Sequence, residues 1–304
     1  NKIYKLCDKD NKININDLGY LIGPILNAGG RLGKSNYATE LLSSNNHKII
    51  NQRSIELINL NNKRREIESI ILNSIDFNKI KNDNKEVIVY YDPIINEGLI
   101  GIIASRLKDY FNKPSIVITS SNNLLKGSAR SVYNYNIGRA IKNSLDKNII
   151  LSGGGHSMAA GFTLKKRNLS NFKEFIIIDF LKNSISTNNI FKYDAEVSST
   201  AFNKIFFNDI KKIEPFGTGN PEPTFLFKDL KIIKNTILKK KHISSILKSK
   251  SGFSIKTISF NSIDTKIGEH ILNYKNNLDV IGQINENFWN NKNTLQLTIK
   301  DLIL

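Results

Sequence analysis

Residues 86–119 combine two apolar patterns that together indicate a fold class. The runs EVIVYYD (86–92) and PSIVIT (114–119) are β-branched and of strand length, and GLIGIIASRLKDYF (98–111) between them has helical spacing. This order predicts a βαβ unit whose sheet is buried on both faces. The α/β pattern continues through LKGSARSV (125–132), IGRAIKNSL (137–145), MAAGFTL (158–164) and NFKEFIIIDFLKNSI (171–185).

The C-terminal third changes to short strand-like runs separated by Asn, Lys and Gly. Five such runs occur between about residue 191 and residue 304, among them HISSILKS (242–249) and IKTISFN (255–261). Five strands in about a hundred residues suggest a small closed barrel, with an OB-fold as the leading candidate. The predicted fold class is therefore a mixed α/β sheet with flanking helices, followed by an all-β OB barrel.

The N-terminal part is predicted to be a loop followed by helices. GPILNAGGRLGKSN (23–36) is loop-like, YATELL (37–42) is a short helix, and 47–75 has apolar residues at helical spacing that indicate a long connecting helix. The polar stretch NKIKNDNK (78–85) is interpreted as an unstructured domain boundary, and STNN (186–189) as a second linker.

Composition narrows the choice of partner. The 304-residue chain carries a formal net charge of +17, which favours a polyanion, nucleic acid first and an anionic membrane second. The background rich in Asn and Ile suggests compositional drift in an AT-rich genome, so part of the lysine excess is not a signal of function. No apolar run approaches a membrane span and no signal-like segment precedes the fold, so a membrane role is disfavoured.

Cysteine and methionine usage suggest the compartment and the nature of the chain. Cys7 is the only cysteine, which excludes an internal disulfide or a cysteine zinc cluster and makes the cytoplasm the expected location. The only methionine is Met158, and the chain starts at Asn1. We therefore expect a fragment or a processed product.

The stretch LSGGGHSMAAGF (151–162) leaves two interpretations open. Gly153, Gly154 and Gly155 could form a tight turn that needs positive φ, with His156 an incidental neighbour. Alternatively, the glycines let a phosphate approach the backbone, and His156 adds a donor. The stretch is neither a Walker A loop nor a dinucleotide fingerprint.

Two further segments place small residues beside an arginine. In KGSARS (126–131), Ser128 and Arg130 lie two apart on a predicted strand, so they share a face and can form one phosphate pocket. NAGGR (27–31) repeats the theme with Asn27 and Arg31. For each, a solvated surface residue is the simpler alternative. The run LKKKH (238–242) has two interpretations: a solvated loop or, if it lies on a barrel rim, a segment that follows a phosphate backbone.

Taken together and in order, these motifs resemble the RecJ single-stranded-DNA-specific exonucleases of the DHH phosphoesterase superfamily. The motifs are GPILNAGGRLG, LNLNNKRREIE (58–68), GLIGIIASRLKDYFNKPSIVI, KGSARS, GGGHSMAAGF and EPFGTGNPEPTF (214–225). The resemblance implies a remnant of the DHH catalytic domain at 1–46, a connecting helix and linker at 47–84, a DHH-associated domain at 85–187 and an OB-fold at 191–304. The chain departs from the family pattern at Ile25, Ile95 and Asn96.

The resemblance also implies site residues. Ser128 and Arg130 match the positions that hold the 5′-terminal phosphate, and Arg31, with Asn27 in the same segment, matches the lining of the DNA path. His156 with Gly153, Gly154 and Gly155 matches the motif facing the phosphate near the metals, which gives His156 the catalytic role.

The implied activity is 5′-to-3′ exonucleolysis of single-stranded DNA in repair and recombination, with two Mn²⁺ or Mg²⁺ ions held by Asp and His residues of the DHH domain. No Asp-His-His sequence occurs in this chain, so we expect no metal ligands here and no hydrolysis by the chain alone. We expect a monomer that binds single-stranded DNA, with repair proteins as possible partners. The alternatives are an inert single-strand-binding or scaffold protein, and an oligonucleotide or cyclic-dinucleotide phosphodiesterase of the same superfamily.

Overall fold

The chain forms two compact units, residues 1–188 and 189–304. The computed structural model describes residues 2–9, 13, 15–185, 191–217, 219–263, 265–289 and 292–304. The predicted linker STNN at 186–189 lies outside the described residues.

The first unit contains helices before, between and after its strands. These are α1 (Lys2–Leu6), α2 (Ile15–Asp17), α3 (Gly23–Arg31), α4 (Asn36–Ser43), α5 (His47–Ser74), α6 (Phe77–Asp83), α7 (Ile100–Phe111), α8 (Ile137–Asp146) and α9 (Leu169–Asn183). A π-helical turn, Leu18–Ile22, connects α2 to α3, and a 3₁₀ turn, Lys166–Asn168, precedes α9.

Helix α5 confirms the prediction of a long helix. Asn46 caps its first turn by accepting a hydrogen bond from the Lys48 N–H at 2.9 Å. With 28 residues it spans about 42 Å. Its N-terminal half packs Leu57 into a small core with Ile3, Ile25 and Leu41 from α1, α3 and α4.

Two segments predicted to be irregular are helical instead. Residues 23–31 form α3 because Pro24 suits a helix start and Ile25, Ala28 and Gly29 are buried along one side. Gly29 serves close packing: an added Cβ would lie 2.5 Å from the Lys34 carbonyl oxygen and 3.2 Å from Leu57 Cδ2.

Residues 77–83 form α6 rather than an unstructured boundary. Asp76 caps the helix by accepting from the Lys79 N–H at 2.9 Å. Phe77 stacks on Phe111 and meets Tyr110 edge-on. The cap and the aromatic contact outweigh the polar composition that led to the wrong prediction.

The sheet of the first unit is mixed and has five strands. They are β1 (Ile88–Tyr91), β2 (Ser115–Ser121), β3 (Leu124–Arg130), β4 (Ser152–His156) and β5 (Ala159–Leu164), in spatial order β1-β2-β3-β5-β4. Strands β1 and β2 are parallel with α7 between them in sequence, which confirms the βαβ unit, and the other pairs are antiparallel.

One apolar core covers one face of this sheet, and a second covers the β1 and β2 part of the other face. One face packs against α8 and α9 through residues such as Ile116, Ala129 and Phe172. The other packs against α7, where Ile103 and Leu107 meet Val117. Helix α7 contacts β2 and β3, and the same face continues onto β5 and β4.

The second unit is a closed five-stranded barrel with OB topology, as predicted. Its elements are β6 (Ala195–Glu196), α10 (Lys204–Lys211), β7 (Phe225–Leu238), β8 (His242–Ser249), β9 (Ser254–Ser259), α11 (Lys266–Asn273), β10 (Leu278–Trp289) and β11 (Lys292–Ile303). The strands pair in the order β7-β8-β9-β11-β10, and β10 pairs back to β7 to close the barrel.

Among the described residues, no helix has the length and apolar character that a membrane span requires.

Candidate nucleic-acid interface

Small and polar residues form one face of the sheet at β3, β5 and β4. Strand register places Ser128 opposite Gly161, and Gly161 opposite Gly154. Directly opposed residues in antiparallel strands project from the same face. The two glycines therefore leave the sheet surface open beside the Ser128 side chain.

Ser128 and Arg130 are brought together on this face. Arg130 Nη1 donates to Ser128 Oγ at 3.2 Å and to the Ala129 carbonyl oxygen at 2.8 Å. Gly101 near the start of α7 lets them lie under the helix, because an added Cβ there would be 3.0 Å from Arg130 Nη2 and 3.1 Å from Ser128 Oγ. Burial lowers the pKa of Arg130, as expected for a cation removed from water.

Arg31 lies at the end of α3 and reaches the same region. Its Nη1 donates to the Gly98 carbonyl oxygen at 3.2 Å. The pKa of Arg31 is lowered first by burial and then by the positive charges of Arg64 and Arg130. Asn27 lies one helical turn earlier and is exposed. The predicted NAGGR loop is thus a helix end, and what reaches the site is the arginine side chain.

A cleft of about 620 Å³ lies beside these residues within the first unit. Its walls come from the end of α3, the 96–98 turn and the open sheet face, including Arg31, Asn96, Glu97, Lys126, Ser152, Gly161 and Thr163. Lys126 Nζ pairs with Glu97 Oε2 at 2.8 Å on this wall. Arg31 lines the cleft directly. Gly161, also in its wall, is the strand partner of Ser128, which bonds to Arg130. We call Arg31 and Arg130 the arginine pair.

The GGGH motif forms strand β4, so the interpretation as a tight turn with positive φ is wrong. None of the three glycines is among the described glycines with positive φ. An added Cβ at Gly153 would lie 2.9 Å from Ile141, Ile150 and Phe162 atoms, and at Gly155 it would lie 2.3 Å from the Ala159 carbonyl oxygen. At Gly154 it would meet no described atom within 4 Å. Only Gly154 therefore presents open backbone, on the Ser128 face.

His156 ends β4 on the same face as Gly154 and is exposed. Its Nδ1 accepts a hydrogen bond from the Met158 N–H at 3.3 Å. Because Nδ1 accepts in this contact, the ring N–H that can donate is the one on Nε2. His156 can therefore donate a hydrogen bond to a group lying over the open face.

The three departures from the family pattern lie at buried or turn positions. Ile25 and Ile95 are 2% and 4% exposed and pack in separate cores. Asn96 Oδ1 accepts from the Gly98 N–H at 2.8 Å and shapes the turn that precedes α7. Ile25 and Ile95 therefore contribute packing, and Asn96 contributes a wall of the cleft.

The sequence patterns did not predict a buried polar cluster that joins α5 to α7. Glu68 on α5 is 6% exposed and bonds to Arg64 and Arg106. The signal available was the spacing of Asn61, Arg64 and Glu68, which lie on the same helix face as Leu57. Charged residues in a helix more often indicate a solvated face, which is why the spacing alone does not reveal the cluster.

The barrel carries its own basic surface. Lys231 and Lys234 on β7, Lys248 on β8 and Lys256 on β9 are exposed, and strand register places Lys231 opposite Lys248. The LKKKH run forms the β7–β8 turn, with Lys239 and Lys240 at φ of 50° and 54°. In OB-folds the face of the second and third strands and the turn between the first two contact oligonucleotides.

Within the described ranges, no group of three or more His, Cys, Asp or Glu side chains is arranged to hold a metal ion. The described residues of this chain therefore do not fit a divalent metal centre.

Comparisons with known proteins identify both units. The DHHA1 domain family matches residues 84–183, and the RecJ OB domain family matches residues 193–301. The chain is 32% identical over 265 residues to the single-stranded-DNA-specific exonuclease RecJ of Haemophilus influenzae, covering 83% of this chain and 46% of that protein. It is 27% identical over 316 residues to RecJ of Bacillus subtilis, covering 99% of this chain and 38% of that one.

Among solved structures, RecJ from Thermus thermophilus in complex with Mg²⁺ matches with a TM-score of 0.77 at 22% identity, over 99% of this chain and 45% of that one. This likeness concerns the fold. The chain thus spans less than two thirds of the length of each of these relatives.

Proposed function

Since this chain belongs to the RecJ family, as its DHHA1 domain and the following RecJ OB domain show, we propose a role in DNA degradation. The chain would position single-stranded DNA for 5′-to-3′ exonucleolytic cleavage. The first unit would bind the phosphate at the 5′ end, and the barrel would hold the strand beyond it. The named activity of the relatives, single-stranded-DNA-specific exonuclease, supports the reaction class.

The observation that carries the proposal is that Arg31 and Arg130 lie beside the sheet surface that Gly154 and Gly161 leave open. Arg130 is held at Ser128, Arg31 lies within electrostatic range of it, and both guanidinium groups are half-buried. Partly buried guanidinium groups bind phosphate through strong charge-assisted hydrogen bonds. A phosphate is therefore the ligand whose charge and geometry this site complements best.

Each residue then has a separate role. Arg130 and Ser128 would bind the oxygens of the 5′-terminal phosphate, which fixes the register of the strand. The open backbone at Gly154 would admit the next phosphate, and His156 would donate from Nε2 to an oxygen of the scissile group as negative charge develops there. Asn27 and Arg31 would line the path of the strand.

The barrel surface is proposed to track the backbone of the strand. Its lysines supply charge on β7, β8, β9 and the β7–β8 turn, and exposed Phe260 at the end of β9 offers a ring for base stacking. Binding of this type does not depend on sequence.

We propose metal-dependent hydrolysis for the reaction of the family and not for this chain alone. Two of the solved Thermus structures contain Mg²⁺ or Mn²⁺, and divalent ions activate water for phosphodiester hydrolysis in two-metal enzymes. The described residues of this chain do not fit such a centre. We propose that this chain contributes binding and that hydrolysis needs the Asp and His motifs of the DHH domain.

The test compares binding of the purified chain to single-stranded and blunt duplex DNA of the same sequence across a range of salt concentrations. We expect tighter single-strand binding and a log–log slope of about −0.7 per phosphate neutralised. A slope near zero, or equal affinity for duplex, would contradict the proposal. Manganese-dependent release of nucleotides by this chain would contradict the division between binding and hydrolysis.

A further inference from the structure

The sheet wall of the cleft in the first unit carries a row of polar side chains. Lys126 on β3 lies opposite Thr163 on β5, and Thr163 lies opposite Ser152 on β4, so the three side chains share one face. All three residues line the cleft together with Arg31. Lys126 lies two residues along β3 from Ser128, a step of about 7 Å. The row is therefore adjacent to the proposed phosphate site.

Three neutral polar groups of this cleft are available to a ligand. In the part of the chain that the structure describes, neither the Thr163 nor the Ser152 hydroxyl makes a hydrogen bond. Asn96 uses its Oδ1 to accept from the Gly98 N–H at 2.8 Å, and its Nδ2 group lies outside this bond. A hydroxyl can donate or accept, and an amide Nδ2 donates. Together these groups can bond to an uncharged polar ligand.

The charged side chains beside these groups balance each other. Lys126 Nζ pairs with Glu97 Oε2 at 2.8 Å, and Ser121 Oγ donates to the same oxygen at 2.8 Å. These hydrogen bonds lower the pKa of Glu97, so its carboxylate is ionised at neutral pH. A carboxylate repels a phosphate, and the lysine that would attract one is already engaged. This wall of the cleft therefore disfavours a second phosphate.

The size and the charge distribution of the cleft together define a class of ligand. Its volume of about 620 Å³ lies within the range of about 300–1,000 Å³ that is typical of small-molecule sites. A matching ligand has negative charge toward the arginine pair and a neutral polar group toward the sheet wall. A nucleotide at a 5′ end has this distribution, because its phosphate is charged and its base is neutral.

We propose that the polar wall of the cleft binds the base of the 5′-terminal nucleotide. The polar wall consists of Lys126, Thr163, Ser152, Asn96 and Glu97. Its two hydroxyls and its amide would bond to the edge of the base while the arginine pair holds the phosphate. Because hydroxyls bond to donors and acceptors alike, such a subsite accepts any base. The inference rests on the proposed function and adds a base subsite to it.

The experiment removes the base from the first nucleotide and nothing else. The dissociation constant of the whole chain is measured for one short single strand whose first residue is normal or abasic, each with a 5′-phosphate or a 5′-hydroxyl. With the phosphate, we expect the abasic residue to weaken binding by about tenfold, because two or more hydrogen bonds are lost. With the hydroxyl, the same change should have little effect, because no phosphate holds the end in the cleft.

A double variant assigns the effect to the polar wall. Ser152→Ala with Thr163→Val removes both hydroxyls and keeps the strands, so the tenfold loss should shrink to about twofold while binding of the abasic strand stays nearly constant. Thr236→Val with Ser254→Ala makes the same chemical change on β7 and β9 and should leave the loss at about tenfold. Thermal melting shows whether each variant folds, and the wild-type comparison decides the outcome if the first variant does not.

The outcomes separate the base subsite from the proposed function. If the wild-type chain does not distinguish a 5′-phosphate from a 5′-hydroxyl, the proposed end recognition fails. If it does, but the abasic residue costs nothing, only the base subsite is wrong. That result is also expected if the polar wall holds an internal phosphate, because an abasic residue keeps its phosphates. An undiminished tenfold loss in the folded Ser152 and Thr163 variant would place the base elsewhere and would overturn the inference as well.

Discussion

At the scale of single residues, the glycines of the GGGH strand have different functions although they are adjacent. Gly153 and Gly155 face packed atoms, and Gly154 faces open surface. At Gly153 and Gly155, glycine is required because other atoms of the protein itself pack closely against the backbone. At Gly154 alone is the backbone free to approach a ligand.

The pair Gly153→Ala and Gly154→Ala tests this division. Gly153→Ala should destabilise the fold by about 1–3 kcal/mol, because its methyl would overlap Ile141, Ile150 and Phe162. Gly154→Ala should leave the melting temperature nearly unchanged but weaken binding of single-stranded DNA by about tenfold. Thermal melting and binding titrations of both variants check the prediction; weaker binding in Gly153→Ala alone would contradict it.

At the scale of elements, the turn between β7 and β8 combines charge with a demanding backbone. Lys239 and Lys240 both have positive φ, and the Lys241 N–H bonds to the Leu238 carbonyl oxygen at 3.1 Å. Within the three-residue connection 239–241, this is the geometry of a type I′ turn, whose two central positions prefer Asn-Gly. Retaining lysines there is costly, which is consistent with a role for their charge.

The double substitution Lys239→Asn and Lys240→Gly separates charge from stability. It should maintain or raise the melting temperature, because both residues tolerate positive φ. It should also make the salt dependence of single-strand binding shallower, by up to about 1.4 in log–log slope for two lost phosphate contacts. Lys81→Gln with Lys85→Gln is the control, and an equal change in its slope would contradict a role for the turn.

The junction of α10 with β10 makes the barrel sensitive to acid. Burial by itself raises the pKa of Glu286, but hydrogen bonds from Lys204, Lys211 and Asn293 outweigh it and lower the pKa to about 2. An unfolded Glu has a pKa of about 4.3. The stabilisation by this carboxylate is therefore fully present above about pH 4.3 and is lost as the pH falls toward 2.

Comparison of the wild type with Glu286→Gln measures this effect. At pH 7 the variant should be less stable by about 1–2 kcal/mol, reduced from the full linkage value because the group is partly exposed. The difference should shrink between about pH 4.3 and 2. Denaturant melts at several pH values check it, with Glu269→Gln as control. A difference independent of pH would contradict the assignment.

At the scale of the whole molecule, local sequence patterns predicted the elements better than they predicted the site. The β-branched runs and five short strands specified both sheets because packing and local preference agree there. The prediction of a loop at 23–31 is wrong because Gly29 serves close contact with Leu57 on α5, which no local pattern records. Similarly, the bond from Arg106 to Glu68 joins residues 38 apart in sequence.

The pairing of Ser128 with Arg130 could be predicted because a two-residue spacing on a strand fixes the face. The role of β4 could not, since three consecutive glycines are equally compatible with a turn and a strand. Its strand character comes from pairing with β5. The motifs thus pointed to the candidate site, and tertiary pairing determined which atoms lie on its surface.

In the proposed function, the chain recognises the 5′ end of single-stranded DNA through the Arg130–Ser128 pair, independently of how it holds the strand. The most direct test measures the affinity of the wild-type chain and of Arg130→Ala for one oligonucleotide with a 5′-phosphate or a 5′-hydroxyl. The wild type should prefer the phosphate by about ten- to a hundredfold, and Arg130→Ala should lose this preference while its affinity for the hydroxyl form stays nearly constant. A wild type without the preference, or a variant that loses affinity for both forms by the same factor, would contradict the account.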